Sequence, residues 1–249
     1  MARQIRVHLL PNLIDPHEST GNTFVVIDIL RASTTIVQAL KSGVKVITPC
    51  LEVAEARELA ARQTSPVLLG GERAGKPIAG FDLGNSPAEY TRDRVGGRRL
   101  VFTTTNGTRA MKRCLGAERI LIGSFINLSA IVAAIQESER VELICAGTDG
   151  EVTREDVLFA GAIVSRLTSS SIETNDSGRL ALDAWNKIGG DQLSPVELTE
   201  ELRASQGGQN LIQIGMDADI RLAAEIDAAT IVPRLEISTW EISAESQLA

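Results

Sequence analysis

FVVIDILRASTT, from Phe24 to Thr35, is the stretch whose reading decides the fold. Phe24 to Ile27 is an apolar, β-branched run of the kind that fills a strand buried on both faces. Asp28 breaks that run with a charge, and Arg31 follows it. Ala32, Ser33, Thr34 and Thr35 are small or hydroxylated. From Ser33 onward Ile36, Val37 and Leu40 form one apolar helical face that ends before Gly43. A strand therefore passes through a polar elbow into a helix. Such an elbow suits an anion, because the first amides of a helix lack internal partners and the dipole adds partial positive charge there. Arg31 adds a fork of donors matched to a phosphate or sulfonate. Asp28 is then a metal ligand, a catalytic carboxylate or a partner for Arg31. The plainer reading has the two merely neutralise each other at the strand end.

The same design recurs. Arg99 to Phe102 reads as a strand, Thr103 to Thr108 as its elbow, and a helix starts at Arg109. Ile120 to Ile122 leads through Gly123 and Ser124 into a helix over Asn127 to Ile135. Val141 to Cys145 leads through Ala146 to Gly150 into a helix from about Arg154 to Leu167. Ile5 to Leu10, Val44 to Ile47 and Pro66 to Leu69 supply further strands, and Glu52 to Arg62 a helix. This alternation predicts an α/β protein of three layers, α/β/α, with a mainly parallel sheet, a mixed one staying compatible. Gly70 to Pro87 reads as a long irregular loop, of a length that is usually functional. Ser86-Pro-Ala-Glu89 reads as a capping box opening a helix. Residues 178–228 form a mostly helical segment, with a second box at Ser194 to Glu197. Thr230 to Val232 and Leu235 to Ile242 read as final strands broken at Pro233. No composition shift marks a boundary, so residues 1–249 read as a single α/β domain.

Composition narrows the function. Of 249 residues 43% are hydrophobic but only 3% aromatic, which suits an aliphatic α/β core. The net charge of −7 argues against general nucleic-acid binding, so positive charge for an anionic ligand must be local. The N-terminal residues lack a long apolar core, and no stretch has the apolar length of a membrane span. A cytoplasmic protein without a membrane partner is the expectation. Cys50, Cys114 and Cys145 are odd in number and far apart, as reduced thiols would be. Only His8 and His17 are present, which excludes a zinc site built from several histidines and disfavours a serine triad. His8 reads as structural and His17 as a loop residue. Chemistry falls to carboxylates, arginines and hydroxyls. The oligomeric state is not readable, and a homodimer is compatible with everything above.

In open α/β sheets ligands bind beyond the carboxyl ends of the parallel strands. The elbows are expected to converge on that rim, bringing Arg31 and Arg109 to one small ligand with several anionic groups. The acidic inventory is Asp28, Glu72, Asp82, Glu155, Asp156, Asp217 and Asp219. Carboxylates beside a phosphate site make sense where magnesium bridges them. Each has a plainer alternative: Glu72 paired with Arg73 on a surface loop, Asp82 capping a turn, Glu155 and Asp156 favouring a first helical turn, Asp217 and Asp219 a solvated helix start.

VVIDILRASTT, GGERAGKPIAGFDLGNSP, FTTTNGTRA, GSFINLSA and CAGTDGEVTREDVLFAG, in this order, resemble the 2-phosphosulfolactate phosphatase family, and NLIQIGMDADI in the tail is also similar. The resemblance implies a magnesium-dependent phosphatase that converts 2-phospho-3-sulfolactate to 3-sulfolactate and phosphate, a step in coenzyme M synthesis. Asp28, Arg31, Ser33, Glu72, Arg73, Asn85, Asn106, Gly107, Thr108, Arg109 and Asp156 fall on the matching motifs. Chemistry assigns their roles for water attack on phosphorus. Asp28 is a metal ligand; Glu72 and Asp156 are a second ligand and a general base, in an open order. Arg31 neutralises charge on the transferring group. Arg31 and Arg109, with the amides of Asn106, Gly107 and Thr108, hold phosphate and sulfonate, and Ser33, Thr34, Arg73 and Asn85 complete the substrate set. A covalent aspartyl-phosphate on Asp28 ranks lower, because a haloacid-dehalogenase-type site carries a second Asp two positions on, where Leu30 stands. The alternatives are a phosphatase of the same scaffold acting on another small phosphorylated acid, and a non-catalytic protein that binds phosphorylated metabolites.

Overall fold

Every residue of Thr23–Ile27 is buried, so the decisive strand is covered on both faces. The computed structural model describes residues 3–14, 20–63, 65–167 and 173–245; His17 lies outside them. The chain runs β1 (Gln4–His8), β2 (Thr23–Ile27), α1 (Ala32–Lys41), β3 (Val46–Cys50), α2 (Val53–Ala61), β4 (Val67–Arg73), β5 (Lys76–Pro77), α3 (Arg92–Val95) and β6 (Arg99–Thr103). It continues with α4 (Asn106–Arg113), β7 (Arg119–Gly123), α5 (Leu128–Ile135), β8 (Arg140–Cys145), α6 (Arg154–Leu167) and β9 (Glu173–Thr174). The helical tail is α7 (Asp176–Lys187), α8 (Pro195–Arg203), α9 (Gln206–Gln213) and α10 (Asp217–Ala223), and the hairpin β10 (Pro233–Glu236) and β11 (Glu241–Ala244) follows it.

Alternation along β2 sorts its side chains between two cores. Val25 and Ile27 pack with residues of α5, α6 and α7, whereas Phe24 and Val26 pack with residues of α1 and α4. The result is the α/β/α layering expected from the sequence. The sheet is mixed, in the order β5-β4-β6-β3-β11-β10-β7-β2-β8-β1-β9. β4, β6 and β3 form one parallel block, and β7, β2, β8, β1 and β9 another. The hairpin β10–β11 is wedged between them and is antiparallel to both neighbours and within itself. Three antiparallel junctions in a row reverse the strand sense, so the two blocks do not share one straight carboxyl rim.

The ordinary twist of a sheet turns the two rims toward one another. Neighbouring strands rotate by roughly 20–25°, so the strand direction turns by roughly 100° or more between β6 and β2. Phe24 and Val26 of β2 belong to the same core as Leu100 and Phe102 of β6, joined through Ile120, Leu235, Ile242 and Ile47 of the strands between them.

Three local readings change. β4 continues into the expected loop as far as Arg73, pairing Gly71 with Thr103, and a Cβ on Gly71 would lie 2.0 Å from the Thr103 carbonyl oxygen. Glycine is required there for backbone contact, not for looseness. Ser86 to Glu89 forms only a short 3-10 turn over Pro87–Glu89. Its Glu89 carboxylate accepts from the Gly84 amide at 3.1 Å and its Ser86 hydroxyl donates to Asp219, so no capping box forms. Pro233 begins a strand instead of breaking one, because the first strand position needs no amide. The box at Ser194 does form, with the Glu197 amide 3.3 Å from Ser194 Oγ.

His8 is structural as expected, its Nε2 lying 2.7 Å from Glu142 Oε2. All three cysteines are buried and unpaired, and burial pushes their thiols up, that of Cys50 to about 12. Among the described residues no helix is long and apolar enough to cross a membrane.

Candidate active site

A cavity of about 430 Å³ is lined by elbows of both blocks. The elbow after β2 gives it Asp28 and Arg31, the end of β4 gives Glu72, and the elbow after β6 gives Thr104, Thr105 and Asn106. Thr148 and Asp149 enter from the elbow after β8, and the tail adds Gly207, Asn210 and Gln213 of α9 with Ile214 just beyond it. Asn85 also reaches the wall, and its Oδ1 is buried without a hydrogen-bond partner.

The first elbow is held by its own hydroxyls. Ser33 Oγ accepts from the Asp28 amide at 2.9 Å. Thr34 Oγ1 donates to the Ile29 carbonyl at 2.8 Å and meets Ser124 Oγ at 2.7 Å. Thr35 Oγ1 donates to the Asn85 carbonyl at 2.9 Å. Ser33 and Thr34 are thus consumed inside the elbow and do not line the cavity, contrary to their expected place among the substrate contacts.

Asp28 is buried, and its Oδ1 accepts from the Ala32 amide at 3.2 Å. Burial above all, with the charges of Glu72 and Glu155, raises its carboxyl from 3.8 to about 7 against the lowering effect of the Ala32 and Gly107 amides. Glu72 Oε2 accepts from the Gly75 amide at 2.7 Å, and its Oε1 from the Thr105 amide at 3.3 Å. Two amides at the start of α4, those of Thr105 and Gly107, thus hold carboxylates, as a helix N-terminus favours. Gly107 has no room for a side chain: a Cβ there would lie 2.9 Å from Asp28 Oδ2 and 3.0 Å from the Ala32 Cβ. Within the expected phosphate cradle at Asn106, Gly107 and Thr108, the Gly107 amide is therefore a seat for an acid. Thr108 is buried, with its hydroxyl 3.1 Å from that of Thr104.

Arg31 is buried as well. It donates to Asp219 Oδ2 at 2.8 Å and to the Gly75 carbonyl at 2.9 Å, and it lines the cavity. Arg109 does not join it: its side chain is exposed on α4 and is absent from the cavity wall. The pair of converging guanidiniums expected from the sequence is not formed. Arg73 also turns away, donating to the carbonyls of Glu72 and Leu51 and to Thr103 Oγ1.

Asp156 stands behind the wall, not on it. Its two oxygens accept from the amides of Ile29 at 2.9 Å and Gly147 at 3.0 Å, tying the elbows after β2 and β8 together. Burial, then the charges of Glu155 and Asp28, pushes its carboxyl well up. Glu155 is not the solvated first-turn charge that its position suggests. It is 2% exposed, its Oε2 has no hydrogen-bond partner, and burial raises its carboxyl. Asp219 was equally ambiguous in the sequence, and it too is buried. The signal that could have marked both is the same: an acid beside apolar neighbours at helical spacing, where a solvated face would be polar throughout.

Among the described residues no three acids, histidines or cysteines form a metal cage. Magnesium needs less, since one or two protein carboxylates plus phosphate oxygens and water complete its shell. Asp28 and Glu72 offer that oxygen-only donor set on one wall, with Asn85 Oδ1 as a further unsatisfied oxygen, so these residues fit a hard divalent cation.

A family model described as 2-phosphosulpholactate phosphatase matches residues 8–237. A protein of Symbiobacterium thermophilum named probable 2-phosphosulfolactate phosphatase is 40% identical over 226 residues, covering 89% of this chain and 94% of its own. Similarly named proteins of Deinococcus radiodurans and Thermotoga maritima are 39% and 40% identical, over 93% and 86% of this chain and 93% and 88% of their own. With residues 8–237 matched by the family model and relatives about 40% identical over nearly its whole length, the chain belongs to the 2-phosphosulfolactate phosphatase family, a family of phosphoric monoester hydrolases.

Proposed function

We propose that the protein is a magnesium-dependent phosphatase that hydrolyses 2-phospho-3-sulfolactate to 3-sulfolactate and phosphate. The observation that carries this reading is the meeting of Asp28, Glu72 and Arg31 on one cavity wall, with both carboxylates gripped by the start of α4. Asp28 and Glu72 would hold the cation, which when bound supplies a Lewis acid for the phosphoryl oxygens. Arg31 presents its free edge to the phosphate and offsets charge on the transferring group. Glu72 is also the base of choice for the attacking water, because it lines the cavity, whereas Asp156 lies behind the wall with both oxygens on amides. Water forms the new bond to phosphorus as the ester bond breaks, and Asp156 acts by holding Ile29 and Gly147 in place. The amides of Asn106, Asn210 and Gln213 face the remainder of the substrate, its sulfonate and carboxylate.

The tail helix α9 supplies part of the wall, which supports reading residues 1–249 as one catalytic unit. Three buried free thiols suit a reducing compartment, hence the cytoplasm. If the substrate is as proposed, the product would feed coenzyme M synthesis.

Phosphate release from 2-phosphosulfolactate, 2-phospholactate and 2-phosphoglycerate, with magnesium and with chelator, tests the reading. Release that needs magnesium and is fastest with the sulfonated acid is expected. Faster release from a substrate without sulfonate would reassign the substrate. Orthophosphate binding without turnover under any metal condition would make the chain a binding protein.

A further inference from the structure

The proposed reading uses Arg31 but leaves unexplained how so buried a cation is aimed. The Arg31 and Asp219 side chains are 4% and 2% exposed, and they meet at 2.8 Å although 188 residues separate them. The other oxygen of Asp219 accepts from Ser86 Oγ at 2.6 Å. On its other arm Arg31 donates to the Gly75 carbonyl at 2.9 Å, while the Gly75 amide donates to Glu72 Oε2 at 2.7 Å. One continuous chain of contacts therefore runs Ser86–Asp219–Arg31–Gly75–Glu72. It joins the tail helix α10 to both the guanidinium and the acid that face the cavity.

A guanidinium presents its donors as a rigid planar fork. With one terminal nitrogen fixed by Asp219 and the other by Gly75, the plane is set and only the remaining hydrogens are free for a ligand. We infer that Asp219 is a positioning residue for phosphoryl transfer, fixing the plane of Arg31 through the charged hydrogen bond while Ser86 fixes Asp219. This rests on the proposed phosphatase reading for the identity of the ligand, but not for the contacts. Asp219 itself is not among the residues lining the cavity, so it acts only through Arg31.

The test is a double-mutant cycle on Arg31→Met and Asp219→Asn, read as kcat/KM for 2-phosphosulfolactate and as the dissociation constant of orthophosphate with magnesium. Asp219→Asn alone is expected to lower kcat/KM by about 10²-fold, since small misplacements of a catalytic group cost that much. The magnesium concentration for half-activation should stay within about twofold, because Asp28 and Glu72 keep their own amide partners at Ala32 and Thr105. In the Arg31→Met background, Asp219→Asn should cost nothing further, to within about twofold in either readout. Ser86→Ala removes only the outer hydrogen bond and should lower kcat/KM by about fivefold.

Wild-type kinetics in Asp219→Asn would overturn the inference. So would a second full loss on adding Asp219→Asn to Arg31→Met, the signature of a merely structural acid. Should Asp219→Asn not fold, unchanged kinetics in Ser86→Ala would overturn it and the fivefold loss would support it. A wild-type protein that binds orthophosphate without hydrolysing any ester would sink the phosphatase reading alone, and the cycle would then be judged on orthophosphate affinity.

Discussion

Two elbows in this molecule look alike in sequence and do opposite work. The one after β2 is buried and delivers side chains, Asp28 and Arg31, into the cavity. The one after β6 delivers mainly backbone: amides at the start of α4 grip Glu72 and Asp28, and its Arg109 stays in solvent. The reason is packing order. Arg31 finds a buried counter-ion in Asp219, so burial is tolerable. Without a side chain at Gly107, the second elbow comes close enough to Asp28 to act as its support. A strand–elbow–helix unit thus offers two different resources, a charged tip or a row of amides, and this site uses one of each.

The comparison breaks most visibly at Asp28. Asp28→Asn keeps the shape but removes the charge that both elbows are arranged around. Turnover is expected to fall by about 10³-fold or more, the scale seen when a group acting on transition-state charge is lost. Phosphate release at saturating magnesium measures it. Activity close to wild type would mean that the first elbow does not carry the chemistry.

Next comes Gly107→Ala, which attacks the second elbow where it touches the first. The added methyl has neighbours at 2.9 and 3.0 Å, so either Asp28 or α4 must shift. Overpacking of this kind costs ~1–3 kcal/mol of stability, and the displaced carboxylate should lower kcat/KM by about 10²-fold. Thermal unfolding and steady-state kinetics check the two parts separately. A silent Gly107→Ala would mean that the elbows are not in working contact.

How far all this could be read from the sequence follows from the range of each interaction. β2, its elbow and α1 were legible because burial period, polar break and helical face all lie within a dozen residues. Asp28 and Arg31 stood out for the same reason. The targets of the hydroxyls did not: Ser33 and Thr34 fit a phosphate cradle by composition, yet each closes its own loop. Asp219 finds Arg31 from the far end of the chain, and the α9 wall with Asn210 and Gln213 belongs to no spacing pattern. Final strands were read near the end of the chain, but not the insertion of β10–β11 between the two blocks, because strand sense depends on which neighbours a late segment joins, and local pattern carries no record of that.

A smaller effect sharpens the contrast through pH. The Asp28 carboxyl is raised from 3.8 to about 7 in the folded chain. Between those values the folded state binds more protons than the unfolded one, so stability must fall as pH rises. Its contribution is complete below about pH 4 and lost through about pH 7, amounting to at most ~4 kcal/mol at ~1.4 kcal/mol per unit. The raised carboxyls of Glu155 and Asp156 act in the same sense. Urea unfolding in chelator from pH 5 to 8 should show the decline, and Asp28→Asn should make it shallower, leaving the part due to Glu155 and Asp156. Stability that rises over this range would mean that Asp28 is held as a favourable anion by the second elbow.

Arg109→Ala should do least. Symmetry between the elbows would make it the twin of Arg31, and a two-arginine clamp would lose several orders of magnitude without it. The structure gives it neither a buried counter-ion nor a place on the cavity wall, and an exposed arginine on a helix contributes little to either stability or binding at a distance. The expected change in kcat/KM is therefore no more than about twofold, and in unfolding free energy within ~0.5 kcal/mol. Because the same substitution at Arg31 should be crippling, the ratio of the two effects measures directly how unequal the elbows are. A ratio near one would mean that α4 swings Arg109 inward when substrate binds, and the second elbow would then supply a charged tip after all.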